Sequence, residues 1–246
     1  MINSILYQLK GGLIVSCQAE ADDPFNSPIG VTLFAKAAVM GGAYGIRSEG
    51  IEKTKMILSN VSVPVIGLTK STFEDGSVKI TGSMKEVESL IEIGCHVIAI
   101  DGTMRLREGV SGPDFISHVK EKYKTIIMAD VSTLEEGIAC VEAGADCIST
   151  TLSGYTSETR DLNNGKPDFE LLKNLVRRIK KPVFAEGRYN TPSDCVQAIK
   201  LGAWAVVVGT AITRPRVVTS WFVEAIEKAA LDIISDENRD WGGAFD

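Results

Sequence analysis

The sequence predicts a single (β/α)8 TIM barrel spanning residues 1–246. Three observations carry the prediction. A helix end, a glycine and a short apolar run recur four times, at Gly42, Gly94, Gly144 and Gly202, which lie 52, 50 and 58 residues apart. Four further apolar runs, one before the first repeat and three between the repeats, make eight strands, and amphipathic stretches fill the gaps. Strands apolar on both faces that alternate with helices mean a parallel sheet, and eight such units in about 250 residues close a barrel. The rival, an open doubly wound sheet, brings fewer strands at this length and a Gly-x-Gly-x-x-Gly turn that this sequence lacks.

Taken in order, the first strand is 13–16. The helical pattern 30–40 follows and ends in the first repeat, Met40-Gly41-Gly42-Ala43-Tyr44-Gly45-Ile46-Arg47, which carries the second strand. The third strand, 64–68, opens with Val63-Pro64-Val65, because proline suits a first strand position. Helix 84–93 leads through Gly94 to a strand ending at Asp101. The fifth strand is 125–129. Helix 134–143 leads through Gly144 to Cys147-Ile148-Ser149-Thr150. Helix 167–179 precedes strand 183–185, again opened by a proline, Pro182. Helix 191–201 begins with Thr191-Pro192, an N-cap followed by proline in the first turn, and leads through Gly202 to the eighth strand, the apolar run that ends before Gly209. The segment from Asp236 reads as a polar, partly ordered tail in which Trp241 docks.

Composition narrows the function. Lys and Arg total 26 against 32 Asp and Glu, a net charge of −6 with pI near 5.1. That surplus of acid argues against nucleic acid as the main partner. It leaves open a small phosphorylated ligand, which needs one local pocket. No apolar run reaches the ~18–20 residues of a membrane span. Cys17, Cys95, Cys140, Cys147 and Cys195 are scattered without a Cys-x-x-Cys, and the only histidines are His96 and His118. Neither a disulfide framework nor a zinc site is expected, and reduced thiols fit the cytoplasm. Ile14-Val15-Ser16-Cys17 looks like a lipoprotein cleavage box, but the apolar stretch after Lys10 is too short for the ~7–15 residues of a signal segment.

In such barrels the chemistry sits at the C-terminal strand ends. The first polar residues there are Gln18, Arg47, Lys70, Asp101, Asp130, Thr150 with Thr151, Glu186, and Gly209-Thr210. Any one of them reads equally as a loop cap; the set is more specific, since eight loops converge on one mouth. Gly187 and Arg188 after the seventh strand, and Gly209, Thr210 and Arg214 after the eighth, match the place where these barrels bind phosphate through backbone N–H groups and a guanidinium. Asp101 before Gly102-Thr103 also suits a loop cap, and Tyr155 reads either as a lid over the ligand or as an exposed packed ring. Cys17 has no histidine partner in view to make it a nucleophile.

Six segments together make a resemblance specific: Gly12-Leu13-Ile14-Val15-Ser16-Cys17-Gln18-Ala19, Tyr44-Gly45-Ile46-Arg47, Pro64-Val65-Ile66-Gly67-Leu68-Thr69-Lys70, Met128-Ala129-Asp130-Val131-Ser132-Thr133, Thr150-Thr151-Leu152-Ser153-Gly154-Tyr155-Thr156 and Ala185-Glu186-Gly187-Arg188. Over essentially its whole length the chain resembles the N-acetylmannosamine-6-phosphate 2-epimerases of bacterial sialic acid catabolism. One local departure is Ser48-Glu49 after Arg47, where Ala-Asn is expected. The resemblance implies a barrel enzyme without cofactor or metal, acting on a phosphorylated N-acetyl amino sugar, with a lysine at C2. It carries roles onto Gln18, Arg47, Lys70, Asp130, Glu186 and Arg214. Lys70 and Glu186 are the expected catalytic pair, on the third and seventh strands across the mouth from each other. Gln18, Arg47, Asp130, Thr151 and Tyr155 are expected to bind the sugar, with Asp130 and Gln18 holding hydroxyls or the N-acetyl group.

Free lysine is neutral about once in a thousand molecules at pH 7.4, so a lysine base needs apolar surroundings or a nearby cation. A close Glu186 would instead keep Lys70 charged, and the sequence leaves that choice open. It leaves open, too, another phosphosugar isomerase or synthase on the same barrel, a non-enzymatic phosphometabolite sensor, and the oligomeric state, a homodimer included.

Overall fold

The computed structural model describes residues 3–241, with side chains through residue 233. In chain order its elements are α1 (Ser4–Gln8), β1 (Leu13–Cys17), α2 (Pro28–Met40), β2 (Gly45–Glu49), α3 (Ile51–Leu58), β3 (Val65–Leu68), β4 (Lys70–Thr72), β5 (Val78–Ile80), α4 (Met84–Glu92), β6 (Val97–Asp101), α5 (Gly112–Lys122), β7 (Ile127–Asp130), α6 (Leu134–Glu142), β8 (Cys147–Ser149), α7 (Phe169–Arg178), β9 (Val183–Glu186), α8 (Pro192–Lys200), β10 (Ala205–Val208), α9 (Thr210–Thr213) and α10 (Pro215–Trp241). Eight parallel strands close in the order β1-β10-β9-β8-β7-β6-β3-β2. All eight predicted strands are present. Among the described residues no helix is long and apolar enough to cross a membrane.

Local chemistry explains the repeat. Gly42, Gly94, Gly144 and Gly202 all have φ between +86° and +102°, the left-handed conformation that turns the chain from helix end into the next strand at no steric cost. Pro64 and Pro182 stand just before β3 and β9, where each gives its carbonyl to a neighbour, accepting from Ile46 N and Ile148 N. Thr191 caps α8 in a reciprocal box with Asp194.

Alternation along the strands sorts the core into two shells. Ile14, Ile66, Leu68, Val97, Ala99, Met128, Cys147, Phe184, Ala205 and Val207 share one apolar cluster, which Leu6 and Leu9 of the α1 segment close at one end. Ile98, Ile100, Ile127, Ala129, Ile148, Val183 and Val206 belong to a second, packed against the surrounding helices. Two residues on from Met128, Cys147 and Phe184, the inward sequence turns polar: Asp130, Ser149 and Glu186. The site grows from that layer.

Two features depart from the sequence reading. Lys70 opens an antiparallel hairpin, β4 with β5, that rises from the barrel after β3. A signal for it existed: Asp75-Gly76 between two short β-branched runs, with Gly76 at φ +78°, is a hairpin turn in kind. The residues from 236 to 241 are not a tail but the end of α10; its backbone is helical because nothing between Pro215 and Trp241 breaks the pattern. The expected docking of the Trp241 side chain falls outside the described side chains.

Candidate active site

The mouth of the barrel holds a cavity of about 680 Å³. Gln18, Arg47, Lys70, Thr151, Tyr155, Glu186, Gly187, Arg188, Gly209, Thr210 and Arg214 all line it. Asp130 does not.

At the floor, Arg47 is 1% exposed. Its Nη1 and Nη2 donate to Asp130 Oδ1 and Oδ2 at 3.1 and 2.6 Å, a bidentate fork. Its Nε lies 3.2 Å from Glu186 Oε1 but is not aligned to donate a hydrogen bond. The ring of contacts closes through hydroxyls. Thr151 Oγ1 donates to Asp130 Oδ1 at 2.8 Å, Ser149 and Thr151 hydroxyls share a 2.8 Å bond, and Ser149 Oγ donates to Glu186 Oε2 at 3.2 Å. Asp130 was expected to hold a substrate hydroxyl or the N-acetyl group. In the structure Asp130 is fully buried, its oxygens accept from Arg47 and Thr151, and it aims Arg47 at the cavity.

The electrostatics follow from one cation between two buried carboxyls. Burial pushes the Glu186 carboxyl above the usual range; Arg47 pulls it down, and the neighbouring Asp130 charge adds to the upward push. Asp130 is likewise raised by burial against the pull of Arg47. Burial works against the Arg47 charge, yet Asp130 and Glu186 overcome it and hold the guanidinium cationic.

Lys70 and Glu186 both face the cavity, but they are not each other's partner. Lys70 Nζ hydrogen-bonds Glu20 Oε1, and Glu20 also pairs with Arg214 Nη2 at 3.2 Å. The first polar residue past β1 is Gln18, and Glu20 lies two residues further along the loop. Its signal was an acidic residue in a strand-end loop. Gln18 itself donates to Ser16 Oγ at 2.7 Å.

On the far wall, Gly187 at φ +102° and Arg188 at φ +61° turn the chain out of β9. The Arg188 guanidinium is engaged elsewhere. Nε donates to Lys166 O and Nη1 to Ser153 O, each at 2.6 Å, and its Cζ sits 5.4 Å from the centroid of the half-exposed Tyr155 ring. Arg188 and Tyr155 therefore brace one another at the rim. Thr213 Oγ1 donates to Ser16 O at 2.7 Å, fixing α9 against β1 and placing Arg214 at the edge.

Asp101 is a loop anchor. It is fully buried, accepting from Thr103 N, Thr103 Oγ1 and Arg107 Nη2 on one oxygen and Arg105 Nη2 on the other. Cys17 is buried and its thiol pushed up to about 12 by burial, the opposite of a reactive thiolate. His96 Nδ1 accepts from Val65 N at 3.2 Å, at the opposite end of β3 from Lys70.

Comparison with known proteins agrees with this geometry. A family described as "Putative N-acetylmannosamine-6-phosphate epimerase" matches residues 31–228. Relatives described as 2-epimerases of that sugar phosphate include one from Caldanaerobacter subterraneus, 47% identical over 226 residues, covering 91% of this chain and 94% of that one. Another, from Clostridioides difficile, is 45% identical over 224 residues, covering 91% and 99%. The solved N-acetylmannosamine-6-phosphate 2-epimerase from Clostridium perfringens superposes with a TM-score of 0.84 at 42% identity, covering 91% of this chain and 96% of that one. A thiamine phosphate pyrophosphorylase from Pyrococcus furiosus, 18% identical with a TM-score of 0.60, shares the fold alone.

Proposed function

The chain belongs to the N-acetylmannosamine-6-phosphate 2-epimerase family, and on that footing we propose how its barrel mouth interconverts N-acetylmannosamine 6-phosphate and N-acetylglucosamine 6-phosphate in sialic acid catabolism. The observation that carries the reading is a lysine and a buried carboxyl on separate walls of one cavity, each with its own counter-charge, beside a guanidinium at the rim.

The two sugars differ only in configuration at C2. With C1 as the open-chain aldehyde, the C2 proton is acidic. Its removal gives an enolate whose negative charge rests on the C1 oxygen, and return of a proton to the other face of C2 completes the exchange; no electrons are gained or lost. Lys70 handles the C2 proton. Arg47, held cationic by Asp130 and Glu186, faces the developing enolate oxygen with a fixed charge at the buried floor of the cavity, where such charges stabilise a transition state most. Its Nε, 3.2 Å from Glu186 Oε1, keeps that charge beside the carboxyl that lines the cavity. Glu186, pushed upward by burial, holds a proton closer to neutrality than an ordinary glutamate and works at the sugar oxygens, orienting the ring and assisting transfer there. Gln18 and Thr151 contact hydroxyls or the N-acetyl group, and Tyr155 borders the sugar. Arg214, with the backbone of Gly187, Arg188, Gly209 and Thr210, takes the phosphate.

The test is turnover in heavy water. N-acetylmannosamine 6-phosphate is expected to yield N-acetylglucosamine 6-phosphate carrying deuterium at C2, seen by NMR. Lys70→Met is expected to lose epimerisation and exchange together, by at least ~10²-fold, the low end for a general acid–base group, while its circular dichroism stays native. Near-normal turnover by Lys70→Met would falsify the assignment.

The assembly is a homodimer in the same reading. α10 carries exposed Phe222, Ile226, Leu231 and Ile233. The helix that follows β10 ordinarily covers the seam between the last and first barrel strands. Exposed Ile29 and Leu33 on α2 and Val196 and Ile199 on α8 flank that seam. A second copy of this chain is an apolar surface of matching kind.

A further inference from the structure

Glu20 is held as carefully as any residue in the mouth, yet neither the strand-end reading nor the epimerase chemistry above requires it. Its carboxylate meets two cations, Lys70 and Arg214, through the same oxygen. Four features of its loop fix the aim. Ala21 sits at φ +49°, a left-handed conformation that costs a non-glycine residue energy and is kept where surroundings impose it. Asn26 Nδ2 donates to Ala21 O at 2.8 Å, and Lys53 Nζ to Ala19 O at 3.2 Å. Arg216 pairs with Asp22 at 2.9 Å, tying the loop to the start of α10. Burial opposes the Glu20 charge, but Lys70 and Arg214 outweigh it and hold the carboxyl below its ordinary value, so Glu20 is ionised at neutral pH.

A phosphate monoester brings a charge of about −1.5 to −2 to the guanidinium that Glu20 already occupies. Arg214 Nη2 cannot serve both in full, and two anions on one cation repel. We propose that Glu20 is a displaceable counter-ion: it occupies Arg214 until the substrate's phosphate takes that place, and it keeps its hold on Lys70, aiming the ammonium at the sugar. Arrival of the phosphate at one end of the site is thereby coupled to the position of the proton carrier at the other. This rests on the assignment of Arg214 to the phosphate and of Lys70 to C2.

Binding and turnover are to be measured separately on the full chain. Inorganic phosphate is titrated calorimetrically at low ionic strength into wild type, Glu20→Gln, Glu20→Ala, Arg214→Ala and the Glu20→Gln/Arg214→Ala double variant. Circular dichroism checks each fold. With the competitor removed, Glu20→Gln and Glu20→Ala are expected to bind phosphate about two- to fivefold more tightly, the scale of a part-exposed ion pair. Arg214→Ala is expected to bind it about 10- to 100-fold more weakly, the scale of a charge-assisted contact, and in the double variant the gain from Glu20 disappears. In turnover, Glu20→Gln is expected to lower KM and kcat together, because phosphate binds better while Lys70 loses its aim. A residue that merely braces its loop would raise KM and weaken phosphate binding when removed. Unchanged or weaker phosphate binding by folded Glu20→Gln and Glu20→Ala overturns the proposal. So does an unaltered kcat, which denies the hold on Lys70. Phosphate binding indifferent to Arg214→Ala removes both the assigned phosphate site and the role of Glu20. Tighter phosphate binding by the Glu20 variants, with a wild type that does not epimerise the sugar phosphate, would instead refute the epimerase reading and leave the competition standing.

Discussion

At the scale of single residues, the site is governed by one guanidinium between two buried carboxyls. Arg47 carries one positive charge for Asp130 and Glu186, so burial wins at both carboxyls and their protons are bound more tightly in the folded chain than in the unfolded one. The pair titrates as a unit. A carboxyl raised on folding stabilises the native state below the ordinary carboxylate range, and that contribution is lost as pH rises through the raised value. Glu186→Gln keeps the shape of the protonated form and cannot ionise. Its melting temperature is therefore expected above wild type at pH 8, with the gap closing as pH falls toward 4, while epimerisation is severely impaired. Thermal unfolding across pH 4–8 checks this. A variant less stable than wild type throughout would mean that the contact with Arg47 outweighs the cost of burying the charge.

At the scale of elements, the hairpin β4–β5 carries Lys70 as its first residue; Ile80 roots it in the barrel core, and Arg105 braces its turn. Nη1 of Arg105 donates to Ser77 Oγ at 2.8 Å beside the hairpin turn, its Cζ lies 4.3 Å from the Phe73 ring centroid, and Nη2 pairs with Asp101 at 2.9 Å. Asp101 thus acts on the chemistry only through another residue. Placement errors of about 1 Å can cost ~10²-fold in rate. Arg105→Ala is accordingly expected to lower kcat by about 10- to 100-fold with KM within about twofold, since the phosphate wall is on other loops. Arg105→Lys keeps the charge over Phe73 and restores part of the loss. Steady-state kinetics separate this from simple unfolding: a general destabilisation would scale the active fraction and be cured by lowering the temperature. An unchanged kcat in Arg105→Ala would show that the hairpin holds its place without this anchor.

At the scale of the whole molecule, the proposed homodimer would cover exposed apolar residues of α10, Phe222 and Ile226 among them. Light scattering is expected to give twice the 26.5 kDa chain mass. Phe222→Glu with Ile226→Glu is expected to shift the population to monomer, since unpaired charges in an apolar interface cost several kcal/mol. A wild-type monomer at micromolar concentration would remove the homodimer. The same long helix shows the reach of local reading: its helical run is legible in the sequence, but what covers Phe222 and Ile226 is not.

Local patterns determined most of this protein by themselves. Strand period, glycine turns at fixed spacing and proline before β3 and β9 are properties of neighbouring residues, so the barrel and the set of strand-end side chains are legible one unit at a time. The Asp75-Gly76 hairpin was equally local and was legible had its short flanks been weighed. Which strand-end side chains face each other was not. Arg47 and Asp130 are 83 positions apart, and Lys70 and Glu20 are 50 apart; they meet because barrel closure and stagger set the inward layer. That geometry set Asp130 against Arg47, joined Asp101 to Arg105, tied Arg188 to two carbonyls, and gave Lys70 and Glu186 separate partners. A charge pairs with whatever the closed fold brings within about 3 Å, and no stretch of sequence carries that distance.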